Sequence, residues 1–307
     1  MASMQDDLVA PFSLDHAPVR GRIARLGPAV NAILRRHDYP RPVALLLGEA
    51  LTLAALVGSL LKSDGRLIVQ AQGQGPAPLL VAECGANGAL RGYARMAEGA
   101  AEALRRENRL PPDALLGAGN LVMTLDLGGD AKPYQGMVAL DGDTLAACAE
   151  RYFLSSEQTE TRIALAVGEV FGEGAPLWRA QEAIPIHAAP GGALLQRIAA
   201  DDARGDPAED WSRATILFGT VKDEELIDPD LGADRVLYRL FHEEGVRMSE
   251  GVAVTDQCTC TQERLTKVMQ QFPREELRDL IEPDGLLHAK CQFCAREYRL
   301  EPESVGA

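Results

Sequence analysis

Between Val43 and Leu61 the chain carries an apolar run interrupted by one charge, Glu49. Its longest uninterrupted stretch falls short of the roughly 20 residues that span a bilayer. The run therefore predicts a helix buried on nearly all sides within a globular core. From about Leu67 the period shifts to alternation, which predicts strands at Leu67–Gln72, Leu79–Cys84 and Leu90–Met96. Asn87-Gly88, between the last two, is expected to supply the positive φ angles of a tight hairpin. A second hairpin is expected to join Asn120–Leu125 to Gln135–Leu140 through Gly128-Gly129-Asp130. Asp143 is then placed to cap a helix from about Thr144 to Phe153, with Leu145, Cys148 and Tyr152 along one face. A further strand is expected at Ala193–Ile198, and a last one at Glu297–Leu300. Strands that come in runs, not in alternation with helices, predict an α+β fold with an antiparallel-sheet core around a buried helix.

Beyond that core the character of the chain changes. Residues 199–250 hold 14 Asp and Glu against 6 Lys and Arg. The stretch contains helical patches at Ala214–Ile227 and Asp234–His242, the second with Val236, Leu237, Leu240 and Phe241 on one stripe. It is too polar to form its own core, so it reads as a helical linker that must lay its stripes on something else, or equally as an ordinary pair of surface helices. The expected organisation is an α+β core at 1–200, an acidic helical linker at 201–252 and a small four-cysteine domain at 253–307.

Composition narrows the function. At 307 residues the chain suggests about two domains. Apolar residues at 46% and charged residues at 25% are ordinary globular values. The net charge of −14 argues against a nucleic-acid or anionic-membrane partner. Met1-Ala-Ser-Met-Gln-Asp-Asp7 lacks the positive start of a signal peptide, so a cytoplasmic protein is expected. No nucleophile elbow, phosphate loop or H-E-x-x-H motif occurs, and enzymatic activity is not expected. Gln72-Gly-Gln-Gly75 is not a dinucleotide loop, because Pro78 stands where the third glycine belongs.

Six cysteines in a chain of this kind point to metal or redox chemistry more than to a disulfide framework. Cys84 and Cys148 fall in a predicted strand and helix and read as small core residues. The other four form two close pairs, Cys258-Thr-Cys260 and Cys291-Gln-Phe-Cys294. Four thiolates in that pattern can close a tetrahedral shell around one Zn²⁺, which makes the metal structural and not catalytic. His288 is the one histidine near enough to compete as a ligand. Lys290 and Arg296 flank the second pair and could favour its thiolates. Each pair is also close enough for a local disulfide, with more strain in the smaller C-x-C ring. Spacing leaves two readings open: a redox-inert zinc ribbon, or a switch in which oxidation ejects the metal.

Gln257-Cys-Thr-Cys-Thr-Gln-Glu-Arg264 and Cys291-Gln-Phe-Cys-Ala-Arg-Glu-Tyr298 resemble the zinc switch of the redox-regulated 33-kDa heat-shock chaperones. Similar motifs follow the same order upstream: His37-Asp-Tyr-Pro40, Gly92-Tyr-Ala-Arg95, Gly142-Asp-Thr-Leu-Ala-Ala-Cys148, Tyr152-Phe-Leu-Ser-Ser-Glu-Gln158 and Leu237-Tyr-Arg-Leu-Phe-His-Glu-Glu244. The chain departs from the pattern around Trp178–Pro190, where it is longer, and in the linker. The resemblance implies an ATP-independent holdase that is inactive while reduced and loaded with one Zn²⁺ per chain. It implies that oxidation pairs Cys258 with Cys260 and Cys291 with Cys294, releases the metal and unfolds the switch and linker. Unfolding client proteins are then the implied partners, with homodimerisation on activation. A thiol–disulfide oxidoreductase using Cys291 and Cys294 and a constitutively zinc-bound relative are the alternatives.

Overall fold

A computed structural model describes residues 7–61, 65–128, 131–141, 144–170, 187–198 and 206–306. Two compact units emerge, 1–256 and 257–307. The first unit begins with β1 (Leu8–Leu14), β2 (Val19–Arg25), α1 (Pro28–Arg35) and α2 (Arg41–Gly58). Next come β3 (Arg66–Gly73), β4 (Leu79–Gly85), β5 (Ala89–Arg95), α3 (Ala100–Leu104), α4 (Pro112–Leu116), β6 (Gly119–Asp126) and β7 (Tyr134–Leu140). After α5 (Leu145–Ser156), β8 (Thr161–Val170) pairs with β9 (His187–Arg197). The unit closes with α6 (Pro207–Phe218), α7 (Asp223–Ile227), α8 (Ala233–Phe241) and the short strands β10 (Val246–Met248), β11 (Val252–Ala253) and β12 (Thr255–Asp256).

The expected buried helix is α2. Sixteen of its 18 residues are buried, because it lies between two sheets and packs on β2, β8 and β9 of one and β3, β4 and β5 of the other. The first sheet runs β10-β1-β2-β9-β8 with β11 also on β1, and the second runs β12-β5-β4-β3-β6-β7. Apart from the parallel β12–β5 contact, these pairings are antiparallel. The fold is thus α+β with antiparallel sheets, as the runs of strands imply. The two polar groups of α2 that cannot reach bulk water freely are both answered. Thr52 Oγ1 donates to the Gly48 carbonyl at 2.8 Å, and Glu49 accepts from Arg109 at 2.9 Å. Burial raises the Glu49 pKa and the Arg109 charge opposes that rise. Gly92 lets β5 close on this helix, since a Cβ there would stand 2.8 Å from Leu51 Cδ2.

Local details differ from expectation in instructive ways. In the Asn87-Gly88 turn only Gly88 takes positive φ, +81°, while the Asn87 side chain accepts from the Ala89 amide. The α5 cap is Thr144, whose Oγ1 accepts from the Ala147 amide at 3.2 Å; Asp143 lies outside the described residues, as do Gly129 and Asp130 of the second hairpin. The 178–190 insertion falls there too, except for His187–Pro190, which begin β9. The patch expected at Ala214–Ile227 is two helices, because α6 ends at the Gly219 C-cap and Glu225 caps the Lys222 amide to start α7.

The stripes of the expected linker do find a surface. Trp211, Ala214, Phe218, Leu226, Val236, Leu237, Leu240 and Phe241 are buried with Ala10, Phe12, Val19 and Ile23 of the first sheet. Phe12 and Phe241 stack with centroids 5.9 Å apart. Arg25, mostly buried at 8% exposure, donates to the carbonyls of Leu231, at 2.6 Å, and Asp228. A strand cation thereby holds the α7–α8 connection. Within the first unit, Asp256 ends the chain's path in a two-pronged ion pair with Arg36 of the core. Truncating Leu51, which is wholly buried on α2, to Ala should cost roughly 2–5 kcal/mol through the cavity it leaves. Urea unfolding followed by tryptophan fluorescence measures this, and a cost under about 0.5 kcal/mol would contradict the central placement of α2.

Candidate metal centre

The second unit has little apolar material. Its buried cluster is Leu277, Leu287, Leu300 and Val305, and its first helix, α9 (Gln262–Met269), contributes no buried residue. The remaining elements are α10 (Arg274–Asp279), the hairpin β13 (Leu287–Lys290) with β14 (Glu297–Leu300), and α11 (Pro302–Val305). A core of this size is marginal by itself. Another source of order has to be sought in the polar and sulfur groups.

Cys258 and Cys260 enter on the extended segment before α9, where Thr261 caps the helix by accepting from the Arg264 amide at 3.3 Å. Cys291 and Cys294 lie in the tight turn between β13 and β14. There the Cys291 amide donates to the Arg296 carbonyl and the Ala295 amide to the Cys291 carbonyl, both at 2.9 Å. Ala295 completes the turn at φ +57°, a left-handed conformation that a non-glycine residue adopts at some cost. That reversal lets the Arg296 amide serve the Cys294 sulfur.

All four sulfurs lie within 4.8 Å of one another. Cys258 Sγ is 3.8 Å from Cys291 Sγ, and Cys260 Sγ is 3.3 Å from Cys294 Sγ. Sulfurs bound at about 2.3 Å around a tetrahedral zinc are separated by about 3.8 Å along each edge, and the spacing here is compatible with such a shell. None of the four is in a disulfide. The donor set fits zinc, and with four thiolates the shell has no open position for water or substrate.

The electrostatics of the cluster are uneven. Burial pushes the Cys260 thiol up, but hydrogen bonds from Tyr298 and the neighbouring thiols outweigh it and bring it down to about 7. Burial leads the opposite shift at Cys294, which is pushed up to about 12. Tyr298 Oη lies 3.1 Å from Cys260 Sγ and 3.2 Å from the Cys260 carbonyl. Arg296 is held in its charged form first by Tyr298, then by Cys260 and Cys294. His288 is exposed and turned to Asp284 at 2.8 Å, outside the sulfur group. Cys84 and Cys148 are buried core residues, as expected, with burial pushing the Cys84 thiol up to about 12. Ala295 and Tyr298 lie inside the Cys291–Tyr298 motif, but the sequence reading gave neither a role: nothing in it marks an alanine that must turn left-handed or a hydroxyl that reaches the sulfurs.

Comparison with known proteins places this architecture. The family model described as Hsp33 protein matches residues 7–301. A 33 kDa chaperonin of Caulobacter vibrioides is 47% identical over 300 residues, covering 97% of this chain and 95% of that relative. A 33 kDa chaperonin of Escherichia coli is 35% identical over 298 residues, covering 96% and 92%. The crystal structure of a 33 kDa chaperonin from Thermotoga maritima has a similar fold, with a TM-score of 0.74 at 22% identity over 98% of this chain and 97% of that one.

In the metal-free thiol form, Tyr298→Phe should return the Cys260 thiol toward its ordinary pKa. Iodoacetamide labelling of Cys260 at pH 7, followed by peptide mass spectrometry, should then slow several-fold; an unchanged rate would dissociate Tyr298 from thiolate stabilisation. Ala295→Gly should stabilise the second unit by about 0.5–1 kcal/mol in thermal unfolding, since glycine accepts the left-handed turn freely.

Proposed function

The chain belongs to the Hsp33 family, whose relatives named above are chaperonins, and from that premise we propose that it is a redox-regulated, ATP-independent holdase. The observation that carries the reading is the gathering of four sulfurs, none in a disulfide, within 4.8 Å in a unit whose buried apolar cluster is four residues. Cys258, Cys260, Cys291 and Cys294 would hold one Zn²⁺ per chain. The metal's contribution is a cross-link, worth on the order of 10 kcal/mol to a domain of this kind. In this reading 1–200 is the core, 201–252 the linker and 253–307 the switch.

Oxidation is a two-electron step for each pair. Two thiols give one sulfur–sulfur bond, two electrons pass to a peroxide and two protons accompany them, leaving two waters; two pairs consume two peroxides. The proposed pairs are Cys258 with Cys260 and Cys291 with Cys294. Sulfurs committed to disulfides at about 2.05 Å no longer form a shell with edges near 3.8 Å, so the metal leaves and the unit loses its main cross-link. The released linker would uncover the strip on which it lies, including Ala10, Phe12, Val19 and Ile23. Such an apolar strip suits unfolding client proteins. Copies assemble as homodimers on activation, the protein acts in the cytoplasm, and the acidic surface favours neither nucleic acid nor membrane as a partner. The protein is proposed to be a non-enzyme.

The test is light scattering of a thermally unfolding client with the protein either reduced and zinc-loaded or peroxide-treated, while a chelating dye follows the metal. Suppression by the oxidised form alone, with about one zinc released per chain, is expected. Suppression by neither form would leave the cluster a static scaffold and remove the proposal. Cys291→Ser should lose most of the zinc and weaken switching, and metal content equal to wild type would break the four-ligand assignment. Because ligation requires deprotonated sulfur, chelator competition should find zinc held less tightly as pH falls from about 8 to 6.

A further inference from the structure

Cys260 and Cys294 each accept a hydrogen bond from outside the sulfur group, and the two donors differ in kind. Cys294 is served by a backbone amide, that of Arg296, which the turn itself fixes. Cys260 is served by a side chain, the Tyr298 hydroxyl, 3.1 Å from its Sγ. The same hydroxyl lies 3.2 Å from the Cys260 carbonyl, so one residue is gripped at both its backbone and its sulfur. Tyr298 stands on β14 opposite Ala289 of β13, with its ring packed against the cluster of Leu277, Leu287, Leu300 and Val305. Ring and hydroxyl therefore have separate roles. The ring belongs to the small core, while the hydroxyl reaches 38 residues back along the chain to a sulfur of the other pair.

The step at stake is attack of sulfur on peroxide. A sulfur lone pair takes one peroxide oxygen: the sulfur–oxygen bond forms, the oxygen–oxygen bond breaks, and the departing hydroxide takes up a proton to leave as water. The neighbouring Cys258 sulfur then displaces the new hydroxyl, which also takes up a proton and leaves as water, and the sulfur–sulfur bond closes. A sulfur that serves as a metal ligand has already given up its proton, so a hydrogen bond offered to it cannot make it more ionised. What the hydrogen bond does is draw charge out of the lone pair that attack requires. Hydrogen bonds to charged acceptors are the stronger kind, so between the carbonyl and a charged sulfur at nearly equal distance the hydroxyl proton favours the sulfur.

We propose that the Tyr298 hydroxyl is a brake on oxidation at Cys260: by donating to that sulfur while it is a metal ligand, it withholds the lone pair from peroxide and raises the oxidant level at which the Cys258–Cys260 pair closes. The inference rests on the reading that the four sulfurs hold zinc and meet peroxide, and it assigns control of one oxidation to a residue outside the ligand set. The brake is selective. Cys294 keeps its backbone donor whatever side chain stands at 298, so removing the hydroxyl acts on one pair and not on the other.

The test mixes the reduced, zinc-loaded full chain with limiting hydrogen peroxide and dimedone, which caps sulfenic acid, and reads each cysteine by peptide mass spectrometry. At equal zinc content, Tyr298→Phe should be capped at Cys260 at least about threefold faster than wild type, the effect of losing one hydrogen bond of ordinary strength, with Cys294 unchanged. In the metal-free protein the same substitution should not speed Cys260. A second measurement leaves the fold untouched: growth on 3-fluorotyrosine supplies a stronger donor of nearly the same shape and should slow capping at Cys260. An unchanged or slower Cys260 in zinc-loaded Tyr298→Phe would overturn the brake, the slower rate making the hydroxyl a proton donor to the departing hydroxide. Equal acceleration at Cys260 and Cys294, or acceleration that persists without metal, would overturn it as well, since a loosened unit gives both. So would a fluorotyrosine protein oxidised at the wild-type rate. The light-scattering assay separates the two proposals: a Cys260 released by Tyr298→Phe in a protein that never suppresses aggregation removes the holdase reading alone, and an oxidation-dependent holdase whose Cys260 ignores the substitution removes this one alone.

Discussion

A helix that cannot face water dictates the first unit. With sixteen of its 18 residues buried, α2 must be covered on every side. One sheet covers at most one side of a cylinder about 10 Å across, and two sheets complete the cover. The strands of both therefore keep an inner face of aliphatic residues, among them Leu67, Val69, Leu80 and Leu121 in the second sheet and Ala24 and Leu194 in the first. The first sheet carries a second apolar face as well, and that face receives α6, α7 and α8.

The second unit obeys a different constraint. Four buried aliphatic residues cannot offset the conformational entropy of about fifty ordered residues, at roughly 1–2 kcal/mol each for the backbone. Order there is concentrated where sulfur is, in a capped helix start on one side and a left-handed turn on the other. The two units so differ in kind. One is held by many dispersed contacts that no single reagent removes; the other has four buried aliphatic residues beside a cluster of four sulfurs.

Much of this was legible along the chain. The apolar run with one charge marks α2 because burial on all sides needs no period, and the alternating runs mark the strands because their two faces differ. The four ligand-type cysteines were legible because close pairs of a rare residue carry information in spacing alone. Less visible were features decided by tertiary partners. The 214–227 stretch reads as one helical patch, yet it divides where α6 ends at the Gly219 C-cap and Glu225 accepts from the Lys222 amide to start α7. The α5 cap is Thr144 in the structure, and nothing local ranks it above its neighbour. Tyr298 joins the sulfurs only once β14 folds back across β13. The apolar stripe of α8 announces that it needs a surface without saying which sheet supplies it.

The order of elements before Cys258 has a mechanical consequence. Disorder spreading upstream from the cysteines meets the two-residue ladder of β12 on β5 and the Asp256–Arg36 pair first. It then meets two residues of β11 and three of β10 on β1, and only afterwards α8. Short ladders loaded from one end open like a zip, one small barrier at a time, where a single long strand would have to shear all at once. Under the proposed switch, the chain between sulfur and helix would act as a graded fuse, its burning length set by how many of those rungs give way.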